Sequence, residues 1–230
     1  MADEPSHQFR PMTETILTLG ATLVMGMVDA DTFLNHGSVF VSAQTGNLIV
    51  FMVKLVTHGW SVAWVNVPVW IGYFLGCFGA QALSEHFNRG NKRRQMRWLM
   101  LLNVVAYLVL SSLQTVIPGM WLIFLLGILA GYELTIFRQV GGIALNNGVM
   151  TGNTKSLAIS SYQAWIGGDK AARHRQIQVV LVLGIFLLGC GVGAWLASQF
   201  TLGVLWVATL IKAFLLLWLF LPVAQQRPTI

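Results

Sequence analysis

The chain has 230 residues, of which 56% are hydrophobic and 10% are charged. Soluble domains carry about 25% charged residues, so this composition excludes an ordinary soluble domain and predicts an integral membrane protein whose partner is the lipid bilayer. The net charge of +6 would also suit nucleic acid, but basic loops are expected of membrane proteins, so no nucleic-acid partner is predicted.

Six apolar stretches are predicted to be transmembrane helices, three in each half of the chain. In the first half they cover residues 15–34, 61–83 and 98–116, with a polar segment at 35–60 after the first. The N-terminus lacks the basic region of a signal peptide, so the first helix is predicted to stay in the mature protein. In the second half the predicted helices cover 120–137, 177–198 and 202–221.

The tripeptide Thr-Gly-Asn occurs once in each half, before a helical run. The two copies are Thr45-Gly46-Asn47 and Thr151-Gly152-Asn153. Thr and Asn are good N-cap residues and Gly allows tight backbone geometry. Each copy is therefore predicted to start a short helix inside the membrane protein.

The order of features predicts an internal duplication. Each half runs through a span with an acidic residue near its end, a Thr-Gly-Asn segment, a glycine-rich span and a last span; Gly76-Cys77 matches Gly189-Cys190, and Glu133 holds the place of Asp29. The predicted fold is all-α, with two three-helix repeats that each carry a re-entrant or broken half-helix. The repeats cover 15–116 and 117–221, between tails at 1–14 and 222–230.

Loop charges predict the orientation. The loop 84–97 and the segment 138–176 each carry five basic residues and one acid. Six spans with both termini cytoplasmic place both segments inside, whereas eight spans would put one of them outside. Since each repeat has three spans, the repeats are inverted, and the first Thr-Gly-Asn segment enters from outside and the second from inside.

The stretches GMVDADTFLNHGSVFVSAQTGNLIV and GYELTIFRQVGGIALNNGVMTGNTKSL resemble the YoaK family of small bacterial integral membrane proteins. The resemblance runs from about Thr15 to Leu219. It implies a multi-pass protein of the bacterial inner membrane with a domain of unknown function, and it supplies neither a substrate nor a mechanism. Glu133 and Arg138 stand where the family pattern is more neutral.

Acidic residues inside spans are candidates for function because they are costly there. Asp29 and Asp31 lie near the outer end of the first span, and Glu133 lies near the inner end of the fourth. The structural alternatives are that the two aspartates cap the turn at Asn35, and that Glu133 pairs with Arg138. Lys212 lies in the middle of the sixth span and is predicted to pair with one of the acids or with a carbonyl at a Thr-Gly-Asn break.

The two Thr-Gly-Asn segments would present free N–H groups and a partial positive charge to a central cavity, which favours an anion or a polar solute. Gln44, Asn146 and Asn147 are weaker candidates beside them. The structural alternative is a self-capped turn without a ligand. No metal-ligand spacing, cofactor motif or catalytic nucleophile is found, so neither a cofactor nor an enzyme is predicted.

These features predict a small transporter for a small polar or anionic solute, with proton coupling through Asp29 or Glu133. Its predicted pathway residues are Asp29, Thr45, Gly46, Asn47, Glu133, Thr151, Gly152 and Asn153. Two alternatives stay open: a passive channel with paired half-helices, and a non-transporting membrane scaffold or accessory protein. A homo-oligomer is also allowed.

Overall fold

The computed structural model describes residues 11–87, 92–145, 148, 150–200 and 202–221. These residues form nine α-helices and one two-stranded hairpin, which confirms the all-α prediction. The elements are α1 (Pro11–Asn35), α2 (Gln44–His58), α3 (Trp60–Ala63), α4 (Val67–Phe87), α5 (Lys92–Leu113), α6 (Gly119–Ile136), β1 (Gln139–Val140), β2 (Ile143–Ala144), α7 (Met150–Trp165), α8 (Lys170–Gln199) and α9 (Gly203–Trp218).

Five helices are long and apolar enough to cross a membrane, which agrees with the predicted membrane protein. They are Met12–Asn35, Trp60–Phe87, Lys92–Leu113, Gly119–Ile136 and Lys170–Gln199. The sixth predicted span, 202–221, contains the shorter helix α9 of 16 residues. The first helix begins at Pro11, earlier than predicted, while residues 1–10 and 222–230 of the predicted tails lie outside the described residues.

Two short helices follow the breaks after α1 and α6. Helix α2 begins at Gln44 and α7 begins at Met150, so each Thr-Gly-Asn copy lies in the first turn of a short helix, as predicted. The prediction that Thr or Asn caps the helix is wrong for α2. Its N-cap residue is Ala43, and no side chain caps it, because Asn47 binds the preceding loop instead.

Glycines bring the long helices into close contact across the two halves of the chain. A Cβ atom placed on Gly76 of α4 would lie 2.1 Å from the Ile128 carbonyl oxygen of α6. A Cβ atom on Gly189 of α8 would lie 2.2 Å from the Leu23 carbonyl oxygen of α1. Only glycine fits such approaches, so α4 packs on α6 and α8 packs on α1 through the predicted glycine pattern.

A short hairpin anchors the segment after α6. Gly141 and Gly142 form its turn with φ of 58° and 79°, a left-handed geometry that glycine adopts at low cost. Thr15 of α1 accepts a hydrogen bond from the Gly141 N–H at 2.8 Å, and Thr18 accepts one from the Gln139 N–H at 3.3 Å. The hairpin, which the sequence pattern did not predict, is thereby fixed against α1.

Candidate functional site

Asp29 organises the first break in the chain. Its side chain is 3% exposed and accepts hydrogen bonds from the Val41 N–H at 2.7 Å and the Ser42 N–H at 2.9 Å, both at Oδ1. The Ser42 hydroxyl bonds to Oδ2. A buried carboxylate with three donors is well satisfied, and in turn it satisfies backbone groups that precede α2.

Ser42 links the two breaks. Its Oγ lies 3.1 Å from the Gly148 carbonyl oxygen, which is 106 residues away in the chain. The two Thr-Gly-Asn copies are separated by the same number of residues, so Ser42 and Gly148 each precede their copy by the same three residues. The hydroxyl has one proton and two acceptors, Asp29 and Gly148, so it can donate to only one of them at a time.

Asp29 and Glu133, the predicted match between the halves, have different neighbours. A Cβ atom on Gly148 would lie 3.2 Å from a methyl carbon of Leu134. Leu134 is thus the α6 residue next to Gly148, while Asp29 is the α1 residue next to Ser42. Glu133 precedes Leu134 by one residue, which turns its side chain to a different side of α6. The two acids therefore belong to separate clusters.

A cavity of about 360 Å³ lies where the two breaks meet. Asp29 contributes its polar wall, while Phe33, Phe40 and Phe186 contribute apolar walls. Gly148 and the first turn of α7 close another side through Met150 and Thr151, and Ala43, Ala30 and Cys190 complete the lining. Of the predicted site residues, Asp29 and Thr151 are the two that line this cavity.

The first Thr-Gly-Asn copy holds the loop before α2. The Asn47 side chain is 1% exposed; its Oδ1 accepts from the Phe40 N–H at 2.9 Å and its Nδ2 donates to the Phe40 carbonyl at 2.5 Å. Gly46 packs beside the Phe40 ring, and Thr45 is exposed. As in the structural alternative, this copy is held by its own side chain, although that side chain binds the loop and does not cap α2.

Glu133 lies in a second polar cluster, with Lys212. The Lys212 Nζ is 2.7 Å from Glu133 Oε2, and both side chains are fully buried. Asn103 donates to Glu133 Oε1 at 3.1 Å, and the Tyr107 ring lies 5.6 Å from the Lys212 Nζ. The predicted pairing of Lys212 with an acid is confirmed. The alternative pairing of Glu133 with Arg138 is wrong, because Glu133 pairs with Lys212 and Arg138 lines a cavity that does not include Glu133.

Gly152 and Asn153, the rest of the second copy, line a different cavity of about 330 Å³. Its other walls come from Arg138, Ala144, Leu145, Ser156 and Arg175. The second Thr-Gly-Asn copy thus borders two cavities.

The weaker candidates have local roles. Asp31 accepts a hydrogen bond from Asn35 at 2.8 Å, which matches its structural alternative. Gln44 donates to the Val41 carbonyl at 2.8 Å. Asn146 and Asn147 lie outside the described residues.

Several contributors to these sites were not predicted from sequence, among them Ser42, Phe40 and Asn103. Ser42 carried a detectable signal, because it precedes Thr45 by the same three residues that separate Gly148 from Thr151. Asn103 is a polar residue inside an apolar stretch, which is a general signal for a buried partner.

Comparison with known families gives one match. A family model described as protein of unknown function (DUF1275) matches residues 17–218, nearly the whole chain. No curated protein and no solved structure matches the chain. An uncharacterised family is what the sequence resemblance implied, while the YoaK name stays a prediction.

Proposed function

We propose that this chain, which belongs to the DUF1275 family of proteins of unknown function, is a small membrane transporter for a polar solute. It has six spans in two inverted repeats, and α2 and α7 are half-helices that begin near the middle of the membrane. Helix α9 serves as the sixth span, since its 16 residues extend about 24 Å. Both basic segments face the cytoplasm of a bacterium.

The breaks before α2 and α7 support this proposal. Irregular backbone at membrane depth is tolerated where protein covers it or where it lines a cavity. Asp29 supplies the cover for Val41 and Ser42, and the cavity of about 360 Å³ lies beside them. Transporters with inverted repeats build their sites from such interrupted segments.

The contact between Ser42 and Gly148 is the observation that carries the proposal. A residue touches its own counterpart where a two-fold axis relates two repeats, and these two residues are counterparts that lie 3.1 Å apart, from Oγ to O. The meeting point of the repeats therefore coincides with the Asp29 cavity. Solute sites of transporters with inverted repeats occur at this kind of junction.

The cavity lining favours one class of solute. Three phenylalanines form its walls, and Asp29 is its acidic group. A carboxylate repels a free anion and accepts hydrogen bonds. The best fit is a small neutral or cationic solute with a hydrogen-bond donor and an apolar part, so the anionic alternative does not suit this cavity.

Ser42 offers a route to proton coupling. When Asp29 is ionised, the Ser42 hydroxyl donates its hydrogen bond to the Asp29 carboxylate. When Asp29 is protonated, the carboxylic acid can donate to the Ser42 oxygen, and the Ser42 hydroxyl can then donate to the Gly148 carbonyl instead. Protonation of Asp29 would thus change the hydrogen bond between Ser42 and Gly148, which links the two halves of the chain. This link supports coupled transport over a passive channel.

A scaffold without transport is the second candidate. It is favoured by Asn47, whose amide bonds to Phe40 within the same loop and leaves no evident role for a solute. In a scaffold the Asp29 carboxylate would be needed only as an acceptor, and its charge would not matter.

Flux through proteoliposomes separates these candidates. Asp29→Asn keeps an acceptor for the Val41 and Ser42 N–H groups and an amide that can donate to Ser42, so it preserves the fold while removing the charge. We expect it to abolish proton-dependent uptake of the solutes that the wild type accumulates. Asp31→Asn is the matched control, because Asp31 is bound locally to Asn35 and does not line the cavity. Wild-type vesicles with no uptake in a broad solute screen, or Asp29→Asn vesicles with wild-type uptake, would refute the proposal.

A further inference from the structure

The cavity of about 330 Å³ that Gly152 and Asn153 line is basic, in contrast to the acidic Asp29 cavity. Arg138 and Arg175 line it, together with the polar side chains of Asn153 and Ser156 and the backbone of Gly152. None of the acidic residues among the described parts of the chain lines this cavity. Two guanidinium groups in one concave site create a strong positive potential.

The two arginine side chains have N–H donors that are not used by acceptors within the described residues. Arg175 donates from Nε to Ser156 Oγ at 3.0 Å, which orients the guanidinium and leaves its terminal nitrogens without an acceptor among the described residues. The Arg138 side chain likewise has no acidic partner within the described chain. A guanidinium presents its donors as a planar fork that matches the oxygens of a carboxylate or a phosphate.

The surrounding elements hold this site in place. Arg138 directly precedes β1, and the hairpin is fixed by Thr15 and Thr18 of α1. Gly152 and Asn153 lie in the first turn of α7, a helix of 16 residues whose N-terminus adds free N–H groups and partial positive charge. Asn153 is 3% exposed, whereas Arg138 and Arg175 are exposed at the cavity.

We propose that this cavity, defined by Arg138, Arg175, Asn153 and Ser156, is a binding site for an oxyanion, namely a carboxylate or phosphate group. The group belongs either to a soluble anion or to the headgroup of an anionic lipid, since both present the same oxygens. This binding does not rest on the proposed transport function, because Asp29 lines the other cavity and not this one.

Binding is measured on the purified full chain. Calorimetric titration with sodium phosphate at constant ionic strength tests the soluble anion, and thermal unfolding in phosphatidylcholine nanodiscs with or without phosphatidylglycerol tests the lipid. We expect Arg138→Gln and Arg175→Gln each to weaken binding about tenfold, because each removes charge-assisted hydrogen bonds. Lys155→Gln removes the same charge from an exposed position on α7 outside the cavity, and it should bind as the wild type does.

The outcomes are distinct. Phosphate binding that depends on both arginines supports the site and identifies a soluble anion as its ligand. Stabilisation by phosphatidylglycerol alone, lost in both arginine variants, supports the site and identifies lipid. No response to either probe, or equal loss in Lys155→Gln, overturns the proposal. Asp29→Asn should retain wild-type anion binding, because Asp29 does not line this cavity. The anion-binding result can therefore be interpreted even if the transport proposal fails.

Discussion

At the scale of single residues, several buried polar groups are paired between elements. Glu133 of α6 meets Lys212 of α9 and Asn103 of α5. Asp29 of α1 meets the loop before α2. Each of these pairs fixes one element against another, because a polar group left unpaired in an apolar interior is costly.

The Glu133–Lys212 pair should show strong coupling. Glu133→Gln or Lys212→Met alone leaves one charge buried without its counter-ion, and we expect each to lower the free energy of unfolding by about 3–5 kcal/mol. The double variant should lose clearly less than the sum of the two. Denaturant unfolding in detergent measures this, and additive losses would contradict the pairing.

Residue types predicted part of this network. A single lysine in the middle of an apolar stretch requires an acid, so the pairing of Lys212 followed from sequence alone. That the acid is Glu133 did not follow from sequence, because the pairing depends on the rotation of α9 relative to α6. Asn47 was predicted to face a pathway, but its bond to Phe40 depends on the path of the intervening loop.

At the scale of elements, glycine positions determine which helices touch. Gly131 approaches the backbone of Tyr73 and Cys77, and Gly26 approaches that of Phe186 and Cys190. The first helix of each half thus packs on the glycine-rich helix of the other half. The sequence predicted close packing from GxxxG spacing, but it could not identify the partners, since any two such helices fit.

Alanine substitutions test this packing. Gly76→Ala forces a methyl group against the Ile128 backbone, and we expect a loss of about 1–3 kcal/mol in stability. Gly79→Ala, on the same helix, meets nothing within 4 Å and should leave stability unchanged or slightly raised, because alanine favours helices. Thermal unfolding of both variants checks the contrast; equal melting temperatures would contradict the close approach.

At the scale of the whole molecule, the two halves interlock instead of folding as separate units. Helix α4 packs on α6, α8 packs on α1, and Ser42 contacts Gly148 between them. Composition predicted the membrane class and the helical fold well, because apolar length is a direct signal. The exchange of packing partners between halves is a long-range property that local patterns do not encode.

Accessibility of single cysteines tests the orientation. In a variant whose native Cys77 and Cys190 are replaced by alanine, Arg94→Cys and Arg173→Cys should resist a membrane-impermeant maleimide added to intact bacteria, because both lie in basic segments. Val116→Cys, exposed between α5 and α6, should react readily. Rapid labelling at position 94 would overturn the proposed six-span topology.

The buried ion pair has a consequence for the work that a membrane voltage can do on these helices. Glu133 and Lys212 carry opposite charges 2.7 Å apart, so they travel through an electric field as a neutral unit. Moving one elementary charge across a membrane involves about 2.3 kcal/mol per 100 mV, while a neutral pair experiences almost no such work. A rearrangement that carries α6 and α9 together therefore moves no net charge in this pair, and in the proposed transporter voltage would act through a charged solute or an ionised Asp29.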